Sequence, residues 1–199
     1  MVKVGLTGGI GSGKSYVAAL LSLRGIPVYD SDSNARRIMS SDAETVRALT
    51  AIVGPELYTD GVMDRGVMAR YIFGDKAHAR EVEAVVHPRV RDDFRKWAAS
   101  LEDTAICVLE SAILFESGFD SEVDLTVAVY APEELRIERC MKRDGTGRES
   151  VTARINSQSN QEEIRARCGF VILNDGSIDL EEQIDLLIKY IENKINRKC

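Results

Sequence analysis

The sequence predicts an α/β fold of three layers built on a parallel β-sheet, and three observations carry that prediction. A short apolar strand, Val2-Lys3-Val4-Gly5-Leu6, runs into a glycine-rich turn and then into a helical pattern. Apolar runs at residues 105–109, 123–130 and 170–173 read as strands buried on both faces, as parallel sheets require. Helical patterns follow these strands, the rhythm of strand, crossover helix and parallel strand. With 199 residues, 44% hydrophobic and 29% charged, the chain has an ordinary globular composition. It is long enough to bury roughly 70% of its unfolded surface as one domain with insertions.

Each element has a local reason. Val2, Val4 and Leu6 alternate with smaller or polar residues and meet Gly8-Gly9, a strand ending in a loop. Val17, Leu20 and Leu21 keep helical spacing until Gly25-Ile26-Pro27, where glycine stops the helix and a second strand, Pro27 to Tyr29, begins. From Ser33 to Leu101 the pattern is helical with punctuation, and the stretch is read as a helical insertion. Asp42 opens one helix, Asp60-Gly61 marks a turn, Asp64 and Asp75 are N-caps, and His87-Pro88 interrupts or restarts the last helix. Phe94 and Trp97 are spaced as core-facing helix residues. After the runs at 105–109 and 123–130, Pro132-Glu133-Glu134 starts a helix reaching Met141. Lys142 to Arg148 is a glycine-rich basic loop that is expected to move, and Asn160 with Glu163 forms a polar cap. Phe170 to Leu173 is the last strand, and Asp179 opens the C-terminal helix.

Charge and targeting signals narrow the function classes. Lys and Arg total 26 against 32 Asp and Glu, a net −6, whereas nucleic-acid and acidic-membrane binders carry a basic excess that displaces phosphate counterions. A local basic pocket stays open. No apolar run approaches the roughly 18–20 residues of a membrane helix. The N-terminus lacks the apolar centre and cleavage site of a signal peptide, so the cytosol is expected. Cys107, Cys140, Cys168 and Cys199 stand far apart, with no C-x-x-C pair, and are read as free thiols. A monomer or weak homo-oligomer is expected.

The chemistry begins at Gly8-Gly9-Ile10-Gly11-Ser12-Gly13-Lys14-Ser15, a complete G-x-x-x-x-G-K-[ST] between a strand and a helix. In such a loop the backbone N–H groups of residues such as Gly9, Gly11, Ser12 and Gly13 converge on phosphate oxygens. The helix N-terminus adds partial positive charge, Lys14 reaches the β and γ phosphates, and Ser15 ligates Mg²⁺. The fold class is thereby a P-loop NTPase fold, with ATP as the expected nucleotide. The acceptor is then either water or a second substrate. Tyr29-Asp30-Ser31-Asp32 ends the second strand, where strand ends of a doubly wound sheet face the ligand crevice. Alternation along an extended segment points Asp30 and Asp32 the same way. Asp32 is chosen as general base for an acceptor hydroxyl and Asp30 as a supporting or metal-shell residue, with an N-cap role for Asp32 as the alternative. A guanine-reading Asn-Lys-x-Asp is missing, since Asn193-Lys194 is followed by Ile195-Asn196 deep in the terminal helix. A closing loop needs cations to neutralise the transferring phosphoryl group. Arg143 is given a catalytic role there, and Arg139 and Arg148 bind ATP, unless the segment is only a solvated turn.

These residues resemble the dephospho-CoA kinase family. The resemblance runs from Gly5 to Ser15, through Asp30-Ser31-Asp32 with Ala35-Arg36, Ile72-Phe73, His87-Pro88 and Leu114-Phe115-Glu116. It continues through Arg143-Asp144-Gly145, Gln158 and Ile172-Leu173-Asn174-Asp175-Gly176. It implies transfer of the ATP γ-phosphoryl group to the ribose 3′-hydroxyl of dephospho-CoA with Mg²⁺. It further implies Asp32 as base, Thr7, Arg36, His87 and Glu116 in the acceptor site, and Asn174 to Ser177 beside adenine. The chain then divides into a core at 1–58 and 102–199, a CoA-binding insertion at about 59–101 and a lid at about 142–149. Two residues depart from the family pattern. Tyr16 stands where Thr is usual, leaving a backbone N–H for phosphate but no second hydroxyl, and Ala112 stands where Pro usually precedes Leu-Leu-Phe-Glu. Read from the residues alone, Glu110 is an outer-sphere partner of Mg²⁺ or a strand cap, and stays outside the catalytic set. Other readings are a kinase for another small metabolite and a nucleotide-driven switch, which would show no acceptor-dependent ADP release.

Overall fold

The computed structural model describes residues 1–196, and Cys199, one of the expected free thiols, lies outside them. The chain divides into two compact units, one of Met1–Tyr29 with Asp103 onward, the other Asp30–Glu102. In the first unit a five-stranded sheet has the order β2-β5-β1-β6-β7, with β1 at Val2–Thr7, β2 at Val28–Asp30, β5 at Ile106–Glu110, β6 at Leu125–Tyr130 and β7 at Phe170–Leu173. Strands β5, β1, β6 and β7 run parallel, in a register that sets Leu6 beside Glu110 on one side and Val127 on the other. All five residues of β5 are buried, which is why its sequence reads as one apolar run ending in an acid.

Helices flank the sheet. Helix α1 (Lys14–Leu23) and the C-terminal helix α9 (Leu180–Asn196) pack together against it, burying Val17 and Leu21 with Ile184, Leu187 and Ile191 against Val4, Leu6 and Val127. Gly25, at φ +75°, ends α1 in the left-handed conformation that glycine adopts without strain, and Asp179 caps α9 by accepting from the N–H of Glu181 at 2.7 Å. Helices α6 (Glu133–Asp144) and α7 (Arg148–Asn156) share a small core of Ile137, Cys140, Val151 and Ile155, and α8 (Gln161–Arg167) follows. Here the structure corrects the expected helix end at Met141 and the long basic loop after it. Lys142 and Arg143 complete the last turn of α6, where cations suit the helix C-terminus, and only Gly145 to Gly147 separate it from α7. A short 3₁₀ turn at Phe119–Glu122 was not foreseen, and β6 begins at Leu125, two residues after the expected strand start at Val123.

The second unit contains α2 (Ser31–Ser41), α3 (Ala43–Val53), a 3₁₀ turn at Pro55–Leu57, the hairpin of β3 (Tyr58–Thr59) and β4 (Val62–Met63), α4 (Arg65–Ile72) and α5 (Lys76–Ala99). Asp60 and Gly61, at φ +50° and +77°, make the tight turn that an Asp-Gly pair favours between paired strands. Helices α2, α3 and α4 all pack on α5, burying Ile38, Leu49, Met68, Val86, Val90 and Phe94. This unit starts at Asp30, earlier than the insertion placed at about 59, because α2 and α3 already bury their apolar faces on α5. His87-Pro88 does not interrupt α5, which runs through Pro88 for 24 residues. The break expected there is overruled by the apolar stripe of Val86, Val90 and Phe94, which needs one continuous face. Among the described residues no helix is long and apolar enough to cross a membrane.

Candidate active site

The loop between β1 and α1 has the backbone that a phosphate cradle needs. Gly11 sits at φ +79°, and a Cβ there would stand 2.5 Å from the Arg136 carbonyl oxygen; Gly13 sits at φ +89°, and a Cβ there would overlap the Asn174 amide nitrogen. Both positions therefore demand glycine twice over, by conformation and by space. The Ser12 N–H donates to Gly9 O at 3.0 Å, and Val17 N–H donates to Gly13 O at 3.1 Å, where the loop becomes α1.

At the exit of this loop Glu110 gathers the two polar side chains of the motif. Its carboxylate pairs with the Lys14 ammonium and accepts from Ser15 Oγ at 3.0 Å. The Lys14 and Glu110 side chains are only 12% and 8% exposed, so each charge is matched where water cannot screen it fully. Glu110 reaches this point because β5 is the neighbour of β1 and ends level with Leu6. Glu110 is one of the residues at this loop that the sequence-based catalytic set left out. An acid ending a buried strand was visible, but the strand order that brings it to Lys14 was not.

Behind the loop, side chains from α6, α8 and the segments around them hold its backbone. Asn174, just after β7, donates from Nδ2 to Ser12 O at 2.8 Å, and Arg139 lies within 3.4 Å of Asn174 Oδ1 and 3.5 Å of Gly11 O. Arg136, expected from the sequence only as a helix residue, is buried with Nη1 3.4 Å from Ile10 O. Gly9 N–H and Ile10 N–H donate to Gln161 Oε1 and Gln158 Oε1, each at 2.8 Å. The remaining expected nucleotide residues lie on the surface of the same unit. Arg143 pairs with Asp144 at 2.6 Å, Arg148 with Glu134 at 2.6 Å, and Tyr16 is exposed. Asp144 also holds Arg154, and the two guanidinium groups, Arg143 foremost, pull its carboxyl down to about 2. Thr7, at the end of β1, is buried with no hydrogen-bond partner for its hydroxyl, and Glu116 is exposed and accepts from Ser159 Oγ. After Glu110 the chain turns, with Ser111 Oγ accepting from Ile113 N–H at 3.3 Å across Ala112.

The other expected residues belong to the helical unit. The structure bears out the extended reading at Asp30 and corrects it for Ser31 and Asp32. Helix α2 begins at Ser31, Asp30 is its N-cap, accepting from Asp32 N–H at 3.0 Å and Ser33 N–H at 3.1 Å, and Asp32 is exposed in the first turn. The cap role weighed for Asp32 is thus taken by Asp30, whose extended backbone and short carboxylate suit it. Arg36 donates to Ser33 Oγ at 2.9 Å. His87 is half-buried in α5, and that burial, with Arg91 nearby, holds its pKa below the ordinary 6.5 against the opposing pull of Glu83.

The model of the dephospho-CoA kinase family matches residues 2–179. The chain belongs to the dephospho-CoA kinase family. A dephospho-CoA kinase from Bacteroides fragilis is 44% identical over 198 residues, covering 100% of this chain and 97% of its own. A crystal structure from Thermus thermophilus superposes with a TM-score of 0.84 at 38% identity, covering 95% of this chain and 96% of that one. A dephospho-CoA kinase from Campylobacter jejuni shares the fold, with a TM-score of 0.71 at 24% identity over 96% of this chain and 98% of its own.

The family match, over residues 2–179, takes in residues of both units, among them the loop, Glu110, Gln158 and Gln161. Of these, Gln158 was noticed only as part of a spaced pattern, and Gln161 carried no signal at all. A glutamine in a polar surface segment has no periodicity or charge pairing to mark it.

Proposed function

We propose that the chain is an ATP-dependent kinase acting in the cytosol, which transfers the γ-phosphoryl group of ATP to the 3′-hydroxyl of dephospho-CoA, giving CoA and ADP. The observation that carries this reading is the family match over residues 2–179 of a chain whose phosphate loop is geometrically complete. The acceptor oxygen attacks the γ-phosphorus as the bond to the bridging oxygen of ADP breaks, and the hydroxyl proton passes to the Asp32 carboxylate.

The N–H groups of Gly11 and Gly13 bind the phosphates, whereas those of Gly9 and Ser12, expected to do the same, already donate to Gln161 and to Gly9 O; Lys14, beside Glu110 and Ser15, serves the β and γ oxygens. Arg143 neutralises charge on the transferring group, while Arg139, Arg148, Tyr16 N–H and Asn174 serve ATP. Thr7, Arg36, His87 and Glu116 serve the acceptor, with residues around 59–101 as its binding insertion and 142–149 as the lid. His87, whose pKa is pushed down by burial, serves the acceptor as a hydrogen-bonding group. For Mg²⁺ the residues present fit. Ser15 Oγ and the Glu110 carboxylate lie 3.0 Å apart as hard oxygen donors, and among the described residues no His, Cys, Asp or Glu cluster offers a full protein cage. That suits an ion held mainly by phosphates and water, with Ser15 as direct ligand and Glu110 beyond it. Mg²⁺, when bound, supplies positive charge to the phosphate oxygens.

The deciding experiment is ADP release with and without dephospho-CoA. Acceptor-dependent release yielding CoA supports the reading, and release that occurs equally with water or with another metabolite overturns it. Asp32→Asn is expected to lower kcat by roughly 10²–10⁴-fold, the usual contribution of a general base, with ATP affinity kept within about threefold. Unchanged turnover would remove Asp32 from its role.

A further inference from the structure

Two N–H groups near the start of the phosphate loop are held by side chains from far along the chain. Gly9 and Ile10 donate to Gln161 and Gln158, 152 and 148 residues away, both at 2.8 Å. Gln158 lies in the connection from α7 to α8, which also carries Ser159, the donor to Glu116, and Gln161 is the first residue of α8. Gln161 Nε2 is buried without a partner, so the carboxamide is oriented by its oxygen toward Gly9 N–H. The fit around Gly9 is close on every side, since a Cβ there would stand 2.7 Å from the Gln161 carboxamide and 2.9 Å from Arg136 Nη1. A loop of glycines has high conformational entropy, and its phosphate-binding form has to be held by something outside it.

We infer that Gln158 and Gln161 are positioning residues, which hold the entry of the phosphate loop in its nucleotide-binding form and link it to the α7–α8 connection. The inference rests on the reading of this loop as the ATP site. Because linkage is reciprocal, a nucleotide that favours the ordered loop also tightens the connection, and loosening the connection weakens the nucleotide.

Gln158→Met and Gln161→Met keep length and bulk while removing the acceptor oxygen. Each is expected to weaken ADP affinity, measured by calorimetry, about fivefold, the factor that one hydrogen bond of ordinary strength carries, and the double variant roughly twentyfold. ATP KM should rise in parallel, with kcat within about threefold. In the unaltered protein, ADP should slow amide hydrogen exchange across residues 157–162, and the double variant should lose that protection. Wild-type exchange at 157–162 that ignores ADP overturns the inference, and so does a double variant that keeps ADP affinity. A lowered thermal midpoint with affinity and protection intact would make the glutamines merely structural and also overturns it. ADP binding and exchange need no acceptor, so failure of dephospho-CoA-dependent ADP release would sink the functional reading while leaving this test in force.

Discussion

Lys14 is largely buried, and the only way such an ammonium keeps its charge cheaply is beside a carboxylate that is buried with it. Glu110 is that group, so removing it strands the charge. Glu110→Ala is expected to lower folding stability by about 3 kcal/mol, the low end for breaking a buried pair because both groups retain some solvent contact. Urea unfolding measures this, and a loss under about 1 kcal/mol would mean that water already serves Lys14. Gly13→Ala tests the loop by conformation, since φ is +89° and the added methyl would meet Asn174. It should weaken ADP binding at least tenfold, read by calorimetry. His87 adds a pH dependence whose sign follows from its burial. The unfolded chain takes up a proton near pH 6.5 and the folded chain only at lower pH, so the contribution is present above about 6.5 and is lost as pH falls below it. Stability measured at pH 7.5 and 5.5 should therefore drop more in the wild type than in His87→Asn. At this scale the motif residues were legible because the chemistry of the loop lies in consecutive positions. Arg136 and Gln161 were not, and Glu110 was read only as an outer-sphere Mg²⁺ partner or strand cap, because each meets the loop across a strand order or a helix packing that no local pattern encodes.

Helix boundaries show where local rules hold and where packing overrides them. Asp30, Asp42, Asp64, Asp75, Asn160 and Asp179 all accept N–H groups at helix starts, and Asp42, Asp64, Asp75, Asn160 and Asp179 were legible as caps from residue type alone. Asp30 was read as the end of a strand, since a short strand leading straight into a helix leaves no loop residues to mark the change. Asp30→Ala should cost about 1 kcal/mol by thermal unfolding, and Asp30→Asn, which keeps the accepting oxygen, should restore most of it. If Asn restores stability but activity stays low, Asp30 does metal-shell work in addition to capping α2. The helix α5 was misjudged in the opposite direction, for Pro88 removes one backbone donor yet the apolar stripe on either side keeps the helix whole. In α6 the run to Asp144 was masked by the glycines that follow, whose turn signal is real but begins three residues later than expected.

On the scale of the whole molecule, alternating strands and helices with a complete loop motif were enough to read the parallel sheet and its nucleotide, because every crossover follows the same local pattern. The helical stretch from Ser33 to Leu101 was legible, but not the packing of α2 and α3 on α5, since amphipathic helices carry no mark of which neighbour they will cover. The net charge of −6 averages over a basic set around the loop, Lys14 with Arg136 and Arg139. Nucleotide binding to that set is therefore linked to folding. A ligand that binds only the folded chain stabilises it by RT ln(1 + [L]/Kd), about 2.7 kcal/mol at a concentration of 100 Kd. For a chain of 199 residues each kcal/mol shifts the thermal midpoint by about 2–4 °C, so saturating ADP with Mg²⁺ should raise it by roughly 5–11 °C. Lys14→Ala, with its weaker grip on phosphate, should show less than half that shift at the same ADP concentration. Differential scanning fluorimetry across an ADP series checks both, and a wild-type shift under about 2 °C would mean that the loop does not hold the nucleotide its geometry is built for.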